Sequence, residues 1–348
     1  MANLFSRRVF LQLTAGSPAL RPLLAQTDGP SNARPAVSVI SGPSRRKNIA
    51  RALEAIDGEI APVLRQRKSV VIKPNFVSTD NQLAASHAEA IHGILDYLEP
   101  RFRGPVFIAE SSAGDTMDAF DAFRYDRLAA ERRQQQVQLI DLNREGRYRT
   151  ILVLDADLHG APVRLAARLM DPDAFVIGAA MTKTHNAVVA TLAIKNMAMG
   201  APLHSPPKLL GQWNDKRIVH NGLRQTHFNI FLAAQALRPY WGAAVIDAYE
   251  GMEGNGPMAG TAVPARLAIA STDYVAADRV ALETMSIDPT WVGYLRFCAD
   301  FGIGQYDLSK IEIRGAKLTD AKRKYQLHPG IQRQLEWMGP LRGLPQLG

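Results

Sequence analysis

The sequence predicts an α/β fold, a mostly parallel sheet with helices on both faces. Two observations carry this expectation. From Val37 to residue 315, short β-branched apolar runs alternate with stretches of helical periodicity. Several of those runs are apolar throughout instead of alternating, as strands covered on both faces are. With 348 residues the chain is long enough to bury an extensive core, and two α/β lobes of unequal size are expected, with a boundary near 145–170.

The elements follow in order. "VSVISG" reads as the first strand, and Ile49, Leu53, Ile56, Ile60 and Val63 then place one apolar stripe on a helix. "SVVIKPN" is a buried strand, followed by a helix over about 87–102, the strand "PVFIAES", a helix near 120–134 and the strand "VQLIDLN". Residues 148–170 suit an extra strand pair. The strand "AFVIGAAMTK", a helical region to about 238 and the strand "WGAAVIDAY" come next. A Gly-rich loop, the strand "ARLAIAST", helices at 273–286 and near 290–301, and the strand "IEIRG" complete the α/β region, 37–315. Residues 316–348 are expected to form a peripheral tail.

The N-terminus reads as an address. "SRRVFLQL" sets Arg7 and Arg8 before Phe10 and Leu11, with an apolar stretch after them and a processing site after "LLA". This resembles a twin-arginine export signal over residues 1–25, with 26–36 as a polar, Pro-containing linker. The resemblance implies the twin-arginine export machinery as a partner and a periplasmic or otherwise exported mature protein.

Composition narrows the function classes. The formal net charge is +8, and removal of Arg7, Arg8 and Arg21 with the signal leaves about +5. The remaining basic residues are interspersed with acidic ones and no nucleic-acid-binding motif is present, so no nucleic-acid partner is expected. Cys298 is the single cysteine, which leaves a cysteine-ligated iron–sulfur cluster without ligands. No apolar run reaches the roughly 18 residues of a membrane span, so none is expected in the mature chain.

Ligands of open α/β sheets collect at the carboxyl ends of the strands, and four strands here end in polar side chains. Lys73 and Asn75 follow the first of these, Glu110 and Ser111 the second, Lys183 and His185 the third, Asp247 and Glu250 the fourth. Lys195 and Asn196 sit in "TKTHNAVVATLAIKNMAMG", which gathers basic and amide residues and contains no acid. Lysine attracts carboxylate or phosphate and asparagine both donates and accepts, so the group suits a small anionic ligand. His185, with an ordinary pKa near ~6.5, is the expected proton-moving residue, alongside Lys183 and Glu110. Gly254 and Gly256 in "GMEGNGPMAG" are read as a loop able to approach a ligand closely, and not as a dinucleotide fingerprint, because Pro257 and a further strand follow them. Asp247 and Glu250 are candidate oxygen ligands for a metal. A structural network of ion pairs is the competing explanation for the same residues.

Together "VVIKPNF", "IAESSAGD", "KTH" with "TLAIKNMAMG", "VIDAYEGMEGNGPMAG" and "STDYVAADRVALE" resemble the family called domain of unknown function 362. Some of its members are joined to a ferredoxin-type module, whose cluster cysteines this chain lacks. A fainter likeness is to nickel-dependent lactate racemases, in which a His and a Lys follow a strand, but their Ser-Gly-Gly-x-Lys sequence is absent here. The reading that results is an exported enzyme or cofactor-dependent protein performing acid–base chemistry on a small anionic organic molecule, with the metal or cofactor unidentified. Its alternative is a periplasmic ligand- or cofactor-binding protein without turnover.

Replacing Arg7 and Arg8 together by Lys is expected to leave full-length precursor in the cytoplasm. Fractionation followed by immunoblotting checks this, and undiminished processed protein in the exported fraction contradicts it.

Overall fold

Residues 34–132, 135–206 and 212–339 are described by the structure, a computed structural model. The expected export signal and residues 26–33 of the linker lie outside them. The first strand, β1 (Ala36–Ser41), opens at the predicted position. It is followed by β2 (Ser69–Lys73), β3 (Val106–Glu110) and β4 (Val137–Asp141), each on its predicted apolar run. The pair expected in 148–170 is β5 (Tyr148–Leu154) and β6 (Gly160–Ala166), an antiparallel sheet of its own. Beyond it come β7 (Ala174–His185), β8 (Val189–Thr191), β9 (Trp241–Glu253), β10 (Thr261–Val263), β11 (Leu267–Ser271) and β12 (Glu312–Gly315).

Ten of these strands form one sheet in the order β12-β1-β11-β9-β7-β2-β3-β4, with β8 and β10 attached to the ends of β7 and β9. From β9 to β4 all neighbours are parallel. On this path β11 alone runs the other way, antiparallel to both β9 and β1. The fold is therefore α/β on a mostly parallel sheet, as predicted. A lobe boundary near 145–170 does not appear in the sheet. The chain leaves β4, makes the β5–β6 hairpin and returns as β7 in the middle of the same sheet, because β7 is apolar on both faces and is buried along its whole length.

Alternate residues of the strands feed two apolar cores. Val70, Ile72, Ile108, Ile177 and Val245 pack with α1 (Arg45–Glu54), α2 (Asp57–Leu64), α3 (Ala88–Leu98), α4 (Thr116–Ala122) and α5 (Tyr125–Glu131). On the opposite face Val71, Val176, Ile246 and Ile269 join residues of several later helices. Between them a four-residue turn of helix, α6 (Leu142–Glu145), follows β4. The second-face helices are α7 (Ala193–Gly200), α9 (Leu223–Leu237), α10 (Tyr274–Met285) and α11 (Gly293–Asp300), with the short α8 (Asp215–Val219) between α7 and α9. Two predicted helices are each divided. The stripe from Ile49 to Val63 breaks at Ala55–Ile56, and the changed phase exposes Val63 and buries Leu64 instead. The helix expected near 120–134 begins earlier, under the Asp115 cap, and is interrupted at Arg124, whose φ of 62° is left-handed.

The tail beyond residue 315, expected to be peripheral, packs onto the body. It contains α12 (Leu318–Ala321) and α13 (Ile331–Leu335). The Tyr325 hydroxyl lies 3.0 Å from Thr182 Oγ1, Gln334 Oε1 accepts from the backbone N–H of Val189 at 2.8 Å, and the Trp337 indole donates to Trp291 O. A few anchors in an otherwise polar stretch perform this docking, which is why hydropathy does not reveal it. Among the described residues no helix is long and apolar enough to cross a membrane.

Parallel β2, β3, β7 and β9 end at one edge of the sheet, and α7 starts beside it. Leu192 precedes α7 and offers no side-chain acceptor. The cap comes instead from α10, where the Asp278 carboxylate accepts from the N–H groups of Ala193 at 2.8 Å and Ile194 at 3.1 Å. Burial pushes this carboxyl up to about 8, against the pull of those two bonds. Asp278→Ala strands two buried donors and is expected to cost about 2–3 kcal/mol in chemical denaturation. Asp278→Asn, retaining one acceptor oxygen, should recover part of that loss, whereas an unchanged midpoint for the Ala variant would refute the capping role.

Candidate functional site

The site begins with a buried ion pair. Lys73 closes β2 and Glu110 closes β3, and the ammonium stands 2.9 Å from Glu110 Oε2 with both side chains almost fully buried. Lys73 Nζ also donates to Pro74 O at 2.8 Å and to Asn196 Oδ1 at 3.0 Å, so all three of its protons are used. Glu110 Oε1 accepts from Ser111 N at 2.8 Å. The helix that covers the pair needs Gly200 at the contact, since a Cβ there would stand 2.0 Å from Lys73 Nζ.

A second lysine is tied in from β7. A bulge between Met181 and Lys183 re-aims the strand, and Lys183 Nζ donates to Asn75 Oδ1 at 2.6 Å and to Ala84 O at 2.9 Å. This contact orients two amides in succession. Lysine has no acceptor in its charged form, so it fixes Asn75 Oδ1 toward itself and turns Asn75 Nδ2 to Asn196 Oδ1, 3.1 Å away. Asn196 Oδ1 therefore receives both Asn75 and Lys73. Its own Nδ2 is left buried without a partner.

Lys195, the neighbour of Asn196 on α7, is a third buried lysine, and the half-buried Lys216, from α8, is a fourth beside them. Lys216 Nζ donates to Met199 O at 2.9 Å and Pro202 O at 2.7 Å. Among the described residues no hydrogen-bond or ion-pair partner holds Lys195 Nζ. Burial, followed by the charge of Lys73, lowers Lys195 to about 7, and burial lowers Lys216 to about 7 as well. Lys183 is driven well below the ordinary lysine value by burial and by Lys195. Glu110 is the carboxylate that acts on Lys73, Lys183 and Lys216, and Asp215 adds its charge at Lys216.

Lys195, Lys216, Asn196 and Glu110 line a cavity of about 670 Å³, within the usual range for small-molecule sites. Thr191 Oγ1, also on its wall, is buried without a partner. His185 enters from the end of β7. Its Nδ1 accepts from the backbone N–H of Ala187 at 2.9 Å and of Val188 at 3.3 Å, which places the proton of the neutral ring on Nε2. The ring stacks on His220 with 6.3 Å between centroids. Burial and the nearby Lys195 hold His185 well below 6.5 and bring His220 down to about 4. Both rings are therefore neutral at physiological pH. Burial thus leaves His185 as a neutral Nε2–H donor at the end of β7, while Lys195 and Lys216 are the two groups brought to about 7.

The sequence-predicted residues separate into three groups. Lys73, Asn75, Glu110, Ser111, His185, Lys195 and Asn196 share the cavity, although the Ser111 hydroxyl is already committed to Asn143 and Pro202. Lys183 stands behind Asn75 and does not line the cavity. Asp247, Glu250, Gly254 and Gly256 lie apart from it. Asp247 and Val245 share a face because strand side chains alternate, and that face meets α1, where Arg45 Nε lies 3.0 Å from Asp247 Oδ2 and Arg45 Nη2 lies 3.9 Å from Glu250. A guanidinium thus stands where a metal was expected. Gly254, at φ 69°, accepts from Thr184 Oγ1, and a Cβ on Gly256 would stand 2.1 Å from Thr184 O. These two glycines admit close approach of the chain to itself, and Pro257, next to Gly256, lies on the cavity wall.

Sequence reasoning passed over Thr191, Lys216, His220 and Arg333, all on the cavity wall. "NDKRIVH" carried a readable signal, since Lys216 and His220 are four residues apart on one helical face. Arg333 had no such signal in its polar surroundings.

No functionally curated protein matches the chain. A crystal structure of a Thermotoga maritima protein, a structural-genomics target, is similar with 13% sequence identity and a TM-score of 0.41, over 64% of this chain and 56% of that one. The chain thus spans little more than half the length of that protein. The family model described as "Domain of unknown function (DUF362)" matches residues 70–283, the stretch that holds the strands ending at this edge together with α7 through α10, and the chain belongs to that family.

Proposed function

We propose that the cavity takes a small anionic organic molecule and that Lys195 exchanges a proton with it. One observation carries the reading. Of the four lysines gathered here, Lys73, Lys183 and Lys216 are held by internal acceptors, while among the described residues the buried Lys195 on the cavity wall has none, near the unpartnered Asn196 Nδ2 and Thr191 Oγ1. A network built only for packing would give every buried ammonium an acceptor, because an unpaired buried charge costs several kcal/mol. An anion supplies the missing charge and the missing acceptors together. His185 Nε2–H adds a neutral donor, and Lys73–Glu110 keeps the base of the site rigid. A lysine near pH 7 is matched to general acid–base work. Binding without turnover is the second reading, supported by the same donors. An exported, periplasmic setting belongs to the proposal through the pattern at Arg7 and Arg8.

The linkage has a definite sign. Lysine in the unfolded chain holds its proton to about pH 10.4, whereas Lys195 in the fold releases it at about 7. Between these values the unfolded state binds more protons, so stability of the ligand-free protein rises with pH from about 7 toward 10. Lys195→Met should reduce this rise, leaving the share that Lys216 contributes, and leave the melting temperature at pH 7 unchanged or higher. Lys183→Met, which strands Asn75 Oδ1 and Ala84 O, should lower it, by about 1–3 kcal/mol for each unsatisfied group. Equal losses in the two variants would return Lys195 to a packing role.

Anion binding must recharge Lys195. Affinity for a probe such as inorganic phosphate or succinate should therefore fall above pH 7, by up to about tenfold per pH unit for each proton taken up. Calorimetric titration in buffers of different ionisation enthalpy measures that uptake. Native mass spectra without a retained small anion, together with no saturable binding of these probes, would overturn the proposal.

A further inference from the structure

Arg333 reaches the cavity wall from a part of the chain that the family match, residues 70–283, does not include. Among the described residues no acidic group forms an ion pair with its guanidinium. Its placement is nevertheless specified on both sides. Gln334, the next residue, is buried and accepts from Val189 N. Val189 has φ 69°, a left-handed conformation that a β-branched residue adopts only at a cost. It lies just past the turn that holds His185 Nδ1. The Gln334 contact thus joins the C-terminal segment to the part of the site that orients the imidazole. Four residues after Arg333, Trp337 donates from its indole to Trp291 O, and its carbonyl accepts from Arg224 Nε at 2.8 Å. Upstream, Tyr325 rests on Thr182, and a Cβ on Gly251 would collide with its hydroxyl at 2.1 Å. A peripheral tail would not fix an unpaired arginine at a cavity mouth by contacts on either side of it.

We propose that Arg333 is a ligand-binding residue that receives a second anionic group, so that the molecule held in the cavity carries one anion at Lys195 and Asn196 and another, carboxylate or phosphate, at the guanidinium. The inference rests on the anion-site reading given above and adds the ligand's second charge. The planar fork of arginine suits either group bidentately. It stands on an anchored stretch of backbone at the exposed rim, where a guanidinium meets the ligand without the desolvation cost borne by the buried lysines.

The test compares affinities of the full chain for one-group and two-group anions by calorimetry. Acetate and inorganic phosphate are the one-group probes. The two-group probes are the dicarboxylates from oxalate to adipate, and phosphoglycolate. At least one two-group probe should bind tenfold or more tightly than acetate. Arg333→Gln, at an exposed position, should abolish that preference while leaving acetate affinity within about twofold, and Arg333→Lys should restore it in part. A best probe among the dicarboxylates assigns the second group as carboxylate, and phosphoglycolate as best probe assigns it as phosphate. An unchanged preference in Arg333→Gln, or no preference in the wild type despite saturable acetate binding, would overturn this inference alone. Absence of binding by every probe would remove the anion site as well.

Discussion

Three buried lysines and the half-buried Lys216, gathered around Glu110, form the constraint on which the rest of this site depends. Charges of one sign in a medium of low permittivity repel and lose hydration, and each remedy costs structure elsewhere. Lys73 takes Glu110 and two carbonyl-type acceptors. Lys183 takes an amide and a backbone carbonyl, and Lys216 takes two backbone carbonyls. Gly200 gives the space that lets the α7 backbone close over the first pair. Lys195 is left without such an acceptor among the described residues, and burial with the charge of Lys73 lowers it to about 7.

The amide relay turns that electrostatic arrangement into directionality. An asparagine alone in a cavity could present either end. Here Lys183 sets Asn75, Asn75 and Lys73 set Asn196, and the remaining N–H of Asn196 becomes a donor committed to the cavity. The backbone of the β7–β8 turn does the same for His185 by occupying Nδ1. The resulting wall offers donors at Thr191, Asn196, His185 and Lys195, with few acceptors beside them. In the proposed anion site, a ligand without acceptors would leave these groups unpaired.

Much of this was legible in the chain. Apolar runs without alternation announced strands covered on both faces, and parallel strands imposed a common carboxyl edge for Lys73, Glu110 and Lys183. The absence of acids from "TKTHNAVVATLAIKNMAMG" marked the basic character of the site. Alternation also contained the error over Asp247. It shares the edge with Lys73 but points to the opposite face, toward Arg45, and strand end alone does not reveal face when both faces are buried.

The sequence by itself determined the α/β class, the edge at which polar groups gather and the basic character of the site, because these follow from periodicities and residue types that act locally. Tertiary structure alone decided which lysine is free, which nitrogen of His185 carries the proton and that Arg333 reaches the cavity. The free lysine and the reach of Arg333 depend on partners distant in the chain, Ala84 and Asn75 accepting from Lys183, Pro202 accepting from Lys216 and Val189 donating to Gln334, and the His185 tautomer depends on how the β7–β8 turn folds back on the ring. The charge of a buried group is set by its surroundings, and no stretch of sequence contains its own surroundings.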